Sequence, residues 1–236
     1  MTTARERTHE AVLRHVEEEL TSGRLHIGSR LPAERALAGE LGVSRGSVRE
    51  GIRVLEAMGV IRTAVGSGPD AGATVVADTS AGMTSALRLH LASSSLPVAD
   101  IVSTRVLLES WSVREAARHG EYSHLGDAAR LLDAMDEPSL PVEEFLRLDA
   151  EFHVTLARSA GNAVVAAIMT SLRGAIHGYV LAAAPPARRW PAVQRRLRRQ
   201  HRNVLAAVRA GDGERAARLV ARHIEGFYRD TRVSAG

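Results

Sequence analysis

Apolar side chains recur every three to four residues along most of this chain, and twice, briefly, the rhythm changes to that of a strand. Over residues 8–22, Val12, Leu13, Val16 and Leu20 keep helical spacing. A second helix is expected from Pro32, a residue suited to a first turn, through AERALAGELG to Gly42, which can close it. Ser44 is a good N-cap for a third, SRGSVREGIRVLEAMG, whose apolar face is Val48, Ile52, Leu55 and Met58 and which Gly59 ends. VIRTAV and ATVVA then read as short strands on either side of GSGPDAG, a run of turn formers. Past residue 78 no strand signal of any length recurs. Amphipathic segments follow at roughly 79–93, 97–119, 122–135, 141–160, 162–183, 188–210 and 213–230, broken by Pro97, Pro138, Pro141, Gly161, Pro185, Pro186 and Gly211. The expected fold is mainly α: three helices and a hairpin over residues 1–77, a linker near ADTSAGMTS, and an all-helical bundle of six or seven helices over 78–236.

Composition narrows this picture only slightly. A chain of 236 residues, 45% apolar, can bury a sizeable core in one large domain or two smaller ones. Only 2 Trp, 3 Tyr and 3 Phe are available, so Leu, Val, Ile and Ala fill that core, which suits helices. No run approaches the length of a membrane span, the residues after Met1 are charged, and cysteine is absent. Disulfides and thiolate metal sites are thereby excluded, and a cytoplasmic protein without a membrane partner is expected. Net charge is only +4, but all 31 basic residues are Arg. Arg favours bidentate contacts with phosphates and carboxylates, although codon usage in a G+C-rich genome is the simpler account of that choice.

Chemistry enters first at the N-terminal pattern. Two helices joined by a tight Gly-containing turn and followed by a hairpin make a winged helix-turn-helix. Arg45 and Arg49 stand one turn apart on the first half of the third helix, beside Ser44 and Ser47. Such a half-helix can enter a major groove, offering guanidinium forks to guanine and hydroxyls to phosphate. Arg35, near the start of the second helix, is placed to hold the backbone. Residues 1–77 carry ten Arg against ten Asp plus Glu, so any basic face is local; the acids gather at Glu17, Glu18 and Glu19. The competing reading is a solvated face on which these Arg pair with acids such as Glu50.

RLPAERALAGELGVSRGSVREGIRVLEAMGVIRTAVGSG resembles the signature of the GntR family of bacterial transcription regulators, over about forty residues. The resemblance implies that Arg35, Arg45 and Arg49 contact DNA, with Ser44, Gly46 and Ser47 alongside and Gly66 at the wing tip. Two departures stand out. Gly51 replaces the family's usual Ala, at ~1 kcal/mol of helix propensity, and the wing loop is longer than the common short turn.

In the bundle, DAEFH poses a separate problem. Phe145, Leu148, Phe152 and Leu156 form a stripe, and Asp149 and His153 fall within it. A charged Asp there costs several kcal/mol, roughly, unless something pairs with it. His201 lies in the stripe of Val193, Leu197, Val204, Leu205 and Val208, and His223 in that of Ala216, Leu219, Val220 and Phe227. One Asp and three His turned inward from three helices suit a divalent transition metal, Zn²⁺ first, with Ni²⁺, Mn²⁺ or Fe²⁺ as alternatives. Each His alone is more simply a hydrogen-bonded core residue; four such residues together favour the metal. Arg105 points along the stripe of Ile101, Val102, Leu108 and Val113, either to clamp an effector carboxylate or to pair with Glu109 one turn on. Arg173 and His177, also one turn apart, are candidates for the same pocket. The run RRWPAVQRRLRRQHR reads as a solvated face or a contact with the DNA-binding domain.

The order D-x-x-x-H, His, His over the bundle is similar to the FCD ligand-binding domain of the FadR subfamily of GntR regulators. That resemblance implies a metal held by Asp149, His153, His201 and His223, and favours Arg105 as an effector contact. Asn162 also matches, and reads as a helix cap. Together these features lead us to expect a ligand-responsive regulator, a repressor rather than an activator. It would bind a palindromic operator in double-stranded DNA as a homodimer and release it on taking up a small carboxylate. Two rivals stand beside it: a metal-dependent hydrolase or isomerase fused to a DNA-binding domain, and a sensor whose signal is the metal itself. The absence of a further inward carboxylate as general base counts against the enzyme.

Overall fold

Helix α1 (Glu10–Thr21) turns Val12 and Val16 inward, as its spacing requires, against α2 (Glu34–Leu41) and α3 (Arg45–Ala57). Gly42, at φ 65°, takes the left-handed conformation that ends α2, and Ser44 opens α3 by accepting a 3.0 Å hydrogen bond from the Ser47 amide. Gly51 has a steric reason to be glycine. A Cβ there would stand 2.6 Å from the Val12 Cβ, so its absence lets α1 and α3 cross closely. The core of this unit is Val12, Val16, Leu37, Val48, Leu55 and Ile61 with their neighbours. Met58 departs from its expected inward place: it caps α3 and is 56% exposed, because the helix ends before the residue turns back to the core.

The hairpin pairs β1 (Ile61–Ala64) antiparallel to β2 (Gly72–Val75), with Ile61 opposite Val75. Glu56 on α3 anchors it by accepting from the Thr63 amide at 2.8 Å and the Thr63 hydroxyl at 2.5 Å. A further pairing was not expected from sequence. Arg30 bridges to Thr74, and the Leu31 amide donates to the Ala73 carbonyl at 2.9 Å, so the segment before α2 flanks the hairpin. An isolated bridge carries no alternation by which to find it.

The computed structural model describes residues 9–64, 72–76, 78–119, 122–137, 139–182, 184 and 189–231. Gly66 and the wing loop lie outside the described residues. The chain divides into two units, Met1–Met83 and Thr84–Gly236. The division falls six residues later than the expected 77/78 because α4 (Ala81–Ala92) starts in the first unit. A Cβ on Gly82 would meet the Met58 Cα at 3.0 Å, so its first turn rests on the end of α3.

With α4, the second unit comprises α5 (Val98–His119), α6 (Tyr122–Met135), α7 (Val142–Ser159), α8 (Ala163–Ala182), α9 (Trp190–Arg209) and α10 (Gly213–Thr231). These seven helices match the expected all-helical bundle among the described residues. Helix α7 is central. Phe145, Leu148, Phe152 and Leu156 are all buried, with Met169, Ile176, Leu197 and Ile224 from neighbouring helices. Asn162 caps α8, its Oδ1 accepting from the Val164 and Val165 amides at 3.0 and 3.1 Å.

One expectation needs correction. Helix α8 is long and apolar enough, by length and composition, to cross a membrane. Within it Met169, Leu172, Ala175 and Ile176 pack in the bundle, and Arg173 in their midst is ion-paired. The basic run along α9 is in part a counter-charge surface. Arg202 pairs with Asp133 and Asp136, and Arg198 donates to the Glu137 carbonyl at 2.9 Å.

Candidate functional site

Two sites carry chemistry, one in each unit. On the first, Ser44, Arg45, Gly46 and Arg49 are exposed on the leading turns of α3, with Ser47 half-buried beside them and Arg35 exposed on α2. Val48, Ile52 and Leu55 hold the opposite face in the core. Arg49 Nε lies 3.7 Å from Glu34 Oε2. That pair is solvent-exposed, contributes ~0–1 kcal/mol at most, and can open to a phosphate or a base. The face therefore has the shape and polarity of a groove-entering helix.

In the second unit the four expected ligands converge. Asp149 and His153, one turn apart on α7, meet His201 of α9 and His223 of α10, with one ligand atom from each within 4.8 Å of all the others. The three Nε2 atoms form a triangle with edges of 3.3 Å (His153–His201), 3.2 Å (His153–His223) and 3.1 Å (His201–His223). Asp149 Oδ1 stands 3.1 Å from His201 Nε2. The histidines are fully buried, and Phe152 walls the cluster with its ring centroid 4.9 Å from that of His201.

The other ring atoms decide what this triangle can be. His153 Nδ1 is 2.5 Å from Glu109 Oε2, and His223 Nδ1 is 3.1 Å from Gln200 Oε1. Both partners are acceptors, which favours the proton on each Nδ1 and a bare lone pair on each Nε2. Two lone pairs 3.2 Å apart repel each other, and His201 Nε2–H can serve only one of its neighbours. Protonating the rings is no escape: burial first, and then Arg173, push His153 down to about 4, while burial and the other two rings hold His223 well below its ordinary 6.5. A cation among the three nitrogens would resolve the conflict. Their separations match those of adjacent nitrogens around a metal with bonds of about 2.1 Å. The donor set of three imidazoles and one carboxylate, without sulfur, fits Zn²⁺ and its borderline neighbours.

Around this cluster lies a network that spacing alone did not reveal. Burial would raise the Glu109 carboxyl, but His153, Arg105 and Arg173 outweigh it and hold it well below the usual carboxylate range. Burial likewise opposes the Asp149 charge, and His201, Arg173 and His153 override it. Arg105 donates from Nε to Glu109 Oε1 at 2.9 Å and from Nη1 to the Tyr228 hydroxyl at 2.7 Å. Arg173 Nη1 donates to Asp149 Oδ2 at 2.8 Å, whereas its Nε and Nη2 are buried without a hydrogen-bond partner among the described residues. Arg105, Arg173 and His177, the three expected effector contacts, line one pocket with Asp149 and His223.

Glu109 corrects the expectation that no further carboxylate faces the cluster. It was legible as the residue one turn from Arg105, but helix spacing shows a pair along one helix and not a contact with another. Its oxygens are engaged by two guanidinium groups and an imidazole, so it is no free general base. Gln200 and Tyr228 carried no signal in sequence beyond their polarity.

Residues 100–226 match the FCD domain and residues 8–69 match the bacterial regulatory proteins of the gntR family. The chain belongs to the GntR family. It is a DNA-binding transcription regulator of the FadR-like, FCD-containing subfamily, and its relatives are regulators rather than enzymes. It is 30% identical to the Glc operon transcriptional activator of Escherichia coli (strain K12) over 206 residues, covering 84% of this chain and 79% of the relative. The HTH-type transcriptional repressor NanR of Salmonella newport is 29% identical over 232 residues, 94% of this chain and 84% of the relative. Among solved structures, Streptococcus agalactiae GntR superposes with a TM-score of 0.69 at 21% identity, covering 94% of this chain and 99% of that one, and so shares the fold.

Proposed function

We propose that this GntR regulator binds a divalent transition metal, Zn²⁺ first, through Asp149, His153, His201 and His223, and senses a small carboxylate in the adjoining pocket. The observation that carries this reading is the convergence of Asp149 and three buried imidazoles within 4.8 Å of one another, beside Arg173, whose Nε makes no hydrogen bond among the described residues. Without metal the site balances two guanidiniums (Arg105, Arg173) against two carboxylates (Glu109, Asp149). A bound divalent cation supplies two positive charges and open coordination positions, which a carboxylate can fill. Arg173 Nε and Nη2 offer donors to the same anion, with Arg105 and His177 on the pocket wall.

In the other unit, Arg45 and Arg49 read bases in the major groove, with Ser44, Gly46, Ser47 and Arg35 holding phosphates and Gly66 among the DNA contacts. A homodimer in the cytoplasm places two such helices on a palindromic operator, since two-fold symmetric protein matches a two-fold site. Relatives of both signs are similar to this chain. Repression is the reading we adopt, because occupancy of an operator suffices to block a promoter, whereas activation needs a further contact with polymerase. Carboxylate binding then weakens the hold on DNA.

A thermal-shift screen of small carboxylates with and without chelator tests this. We expect a stabilising acid whose effect vanishes on chelation and which lowers operator affinity. Stabilisation indifferent to chelator would remove the metal from ligand recognition. Operator affinity that responds to chelator alone would favour the metal itself as signal. Light scattering should give a particle near twice 25.3 kDa; a strict monomer would remove the symmetric operator.

A further inference from the structure

Glu109 is not one of the four converging side chains, yet both of its oxygens are spoken for, and by different partners. Oε1 takes Arg105 Nε at 2.9 Å and Nη2 at 2.8 Å, and lies 3.5 Å from Arg173 Nη2. Oε2 faces His153 Nδ1 at 2.5 Å. The residue is 3% exposed, so no water competes for either oxygen in a role of this kind. We propose that Glu109 is the positioning residue of the metal centre: it sets the tautomer of His153 and ties that ligand to the guanidinium groups of the effector pocket. The inference rests on reading the four-residue cluster as a metal site, and deepens it.

The division of labour between the two oxygens separates this role from a simpler one. A counter-ion to buried Arg105 needs only Oε1, and an i, i+4 pair on α5 would supply it. Oε2 reaches across to α7 and meets the non-ligating nitrogen of a ligand. An imidazole whose Nδ1–H is held by a carboxylate cannot carry its proton on Nε2. It also pushes electron density toward Nε2, which makes that atom a stronger donor to a cation. The neighbouring ligand His223 is held through Nδ1 by neutral Gln200, and His201 Nδ1, like His153 Nδ1, makes no hydrogen bond of regular geometry among the described residues; what sets His153 apart is the carboxylate oxygen of Glu109 at 2.5 Å from its Nδ1. Among the three imidazoles, His153 is therefore the one whose basicity an anion raises. The same carboxylate fixes where Arg105 stands, and Arg105 lines the pocket. One side chain thus sets both the electronics of a ligand and the geometry of an effector contact.

The test uses the full chain stripped of metal, with Zn²⁺ as the probe. Zn²⁺ affinity is measured by competition with a chromophoric chelator for the parent and Glu109→Gln, each checked for cooperative melting. Long-range ¹H–¹⁵N spectra of the metal-free parent report the His153 tautomer. We expect Glu109→Gln to weaken Zn²⁺ binding by roughly 10–100-fold, the usual cost of losing an outer partner of a ligating imidazole. The parent spectrum should place the His153 proton on Nδ1. Unchanged affinity in a folded Glu109→Gln overturns the positioning role and leaves Glu109 a counter-ion. A His153 proton on Nε2 overturns it as well, and this spectrum decides even if Glu109→Gln fails to fold. A parent chain that takes up no Zn²⁺ overturns the metal reading itself, a different outcome from a parent that binds and a variant that binds equally.

Discussion

Chelation followed by thermal melting bears most directly on the cluster at Asp149. The metal proposed there joins α7, α9 and α10 through side chains that are otherwise in mutual conflict, and it binds only the folded arrangement. At free Zn²⁺ one hundred times the Kd, such binding stabilises the native state by about 2.7 kcal/mol. The unit Thr84–Gly236 is about 150 residues long, and in that size class each kcal/mol moves the melting temperature by ~2–4 °C. Chelation should therefore lower the transition of this unit by ~5–11 °C, and added Zn²⁺ should restore it. His201→Ala should lower stability by roughly 2–5 kcal/mol through the lost packing against Phe152, on the scale of other large-to-small core substitutions. Its transition should no longer respond to Zn²⁺ or chelator. Elemental analysis of the parent, purified without chelator or metal-affinity resin, should find about one transition metal per chain. If the three histidines are only core residues, the parent shows no stoichiometric metal and melts identically with and without chelator. That pair of results would refute the argument from bare nitrogens.

Three further outcomes follow from the geometry. Arg45→Ala and Arg49→Ala should each weaken operator binding by about 1–3 kcal/mol in a mobility-shift titration while leaving circular dichroism unchanged; operator binding like the parent's in both would remove α3 as the reading helix. In metal-free protein, His153 and His223 are held neutral by burial, His153 down to about 4, so the unfolded chain binds more protons between that pH and 6.5. Stability should accordingly fall as pH drops from about 6.5 toward 4, with a slope approaching ~1.4 kcal/mol per pH unit for each histidine, and urea titrations at stepped pH that show a flat profile would contradict the assignment. Gly51→Ala gains ~1 kcal/mol of helix propensity but forces a methyl against Val12, a clash of order 1–3 kcal/mol. In urea titrations the variant should be no more stable than the parent, and a gain of the full ~1 kcal/mol would show that α1 and α3 part freely at this crossing.

Much of this protein was written in local pattern. Helical periodicity placed all seven helices of the bundle, because each must bury one stripe and the stripe recurs every three to four residues. The same logic put Asp149, His153, His201 and His223 on inward arcs, and the Ser44 and Gly42 caps marked the turn that sets Arg45 and Arg49 on the surface. Tertiary structure alone decided the rest. Glu109 looked like a helix-surface partner of Arg105 until α7 brought His153 to within 2.5 Å of it. Gly51 looked like a weakness in α3 until α1 was seen to cross it at Val12. The length and apolar composition of α8 suit a membrane span as well as a core helix, and the packing of Met169, Leu172, Ala175 and Ile176 and the pairing of Arg173 with Asp149 emerge only in the tertiary structure. The physical reason is common to all three: periodicity reports which face a residue occupies, while the partner that face meets comes from another helix tens of residues away.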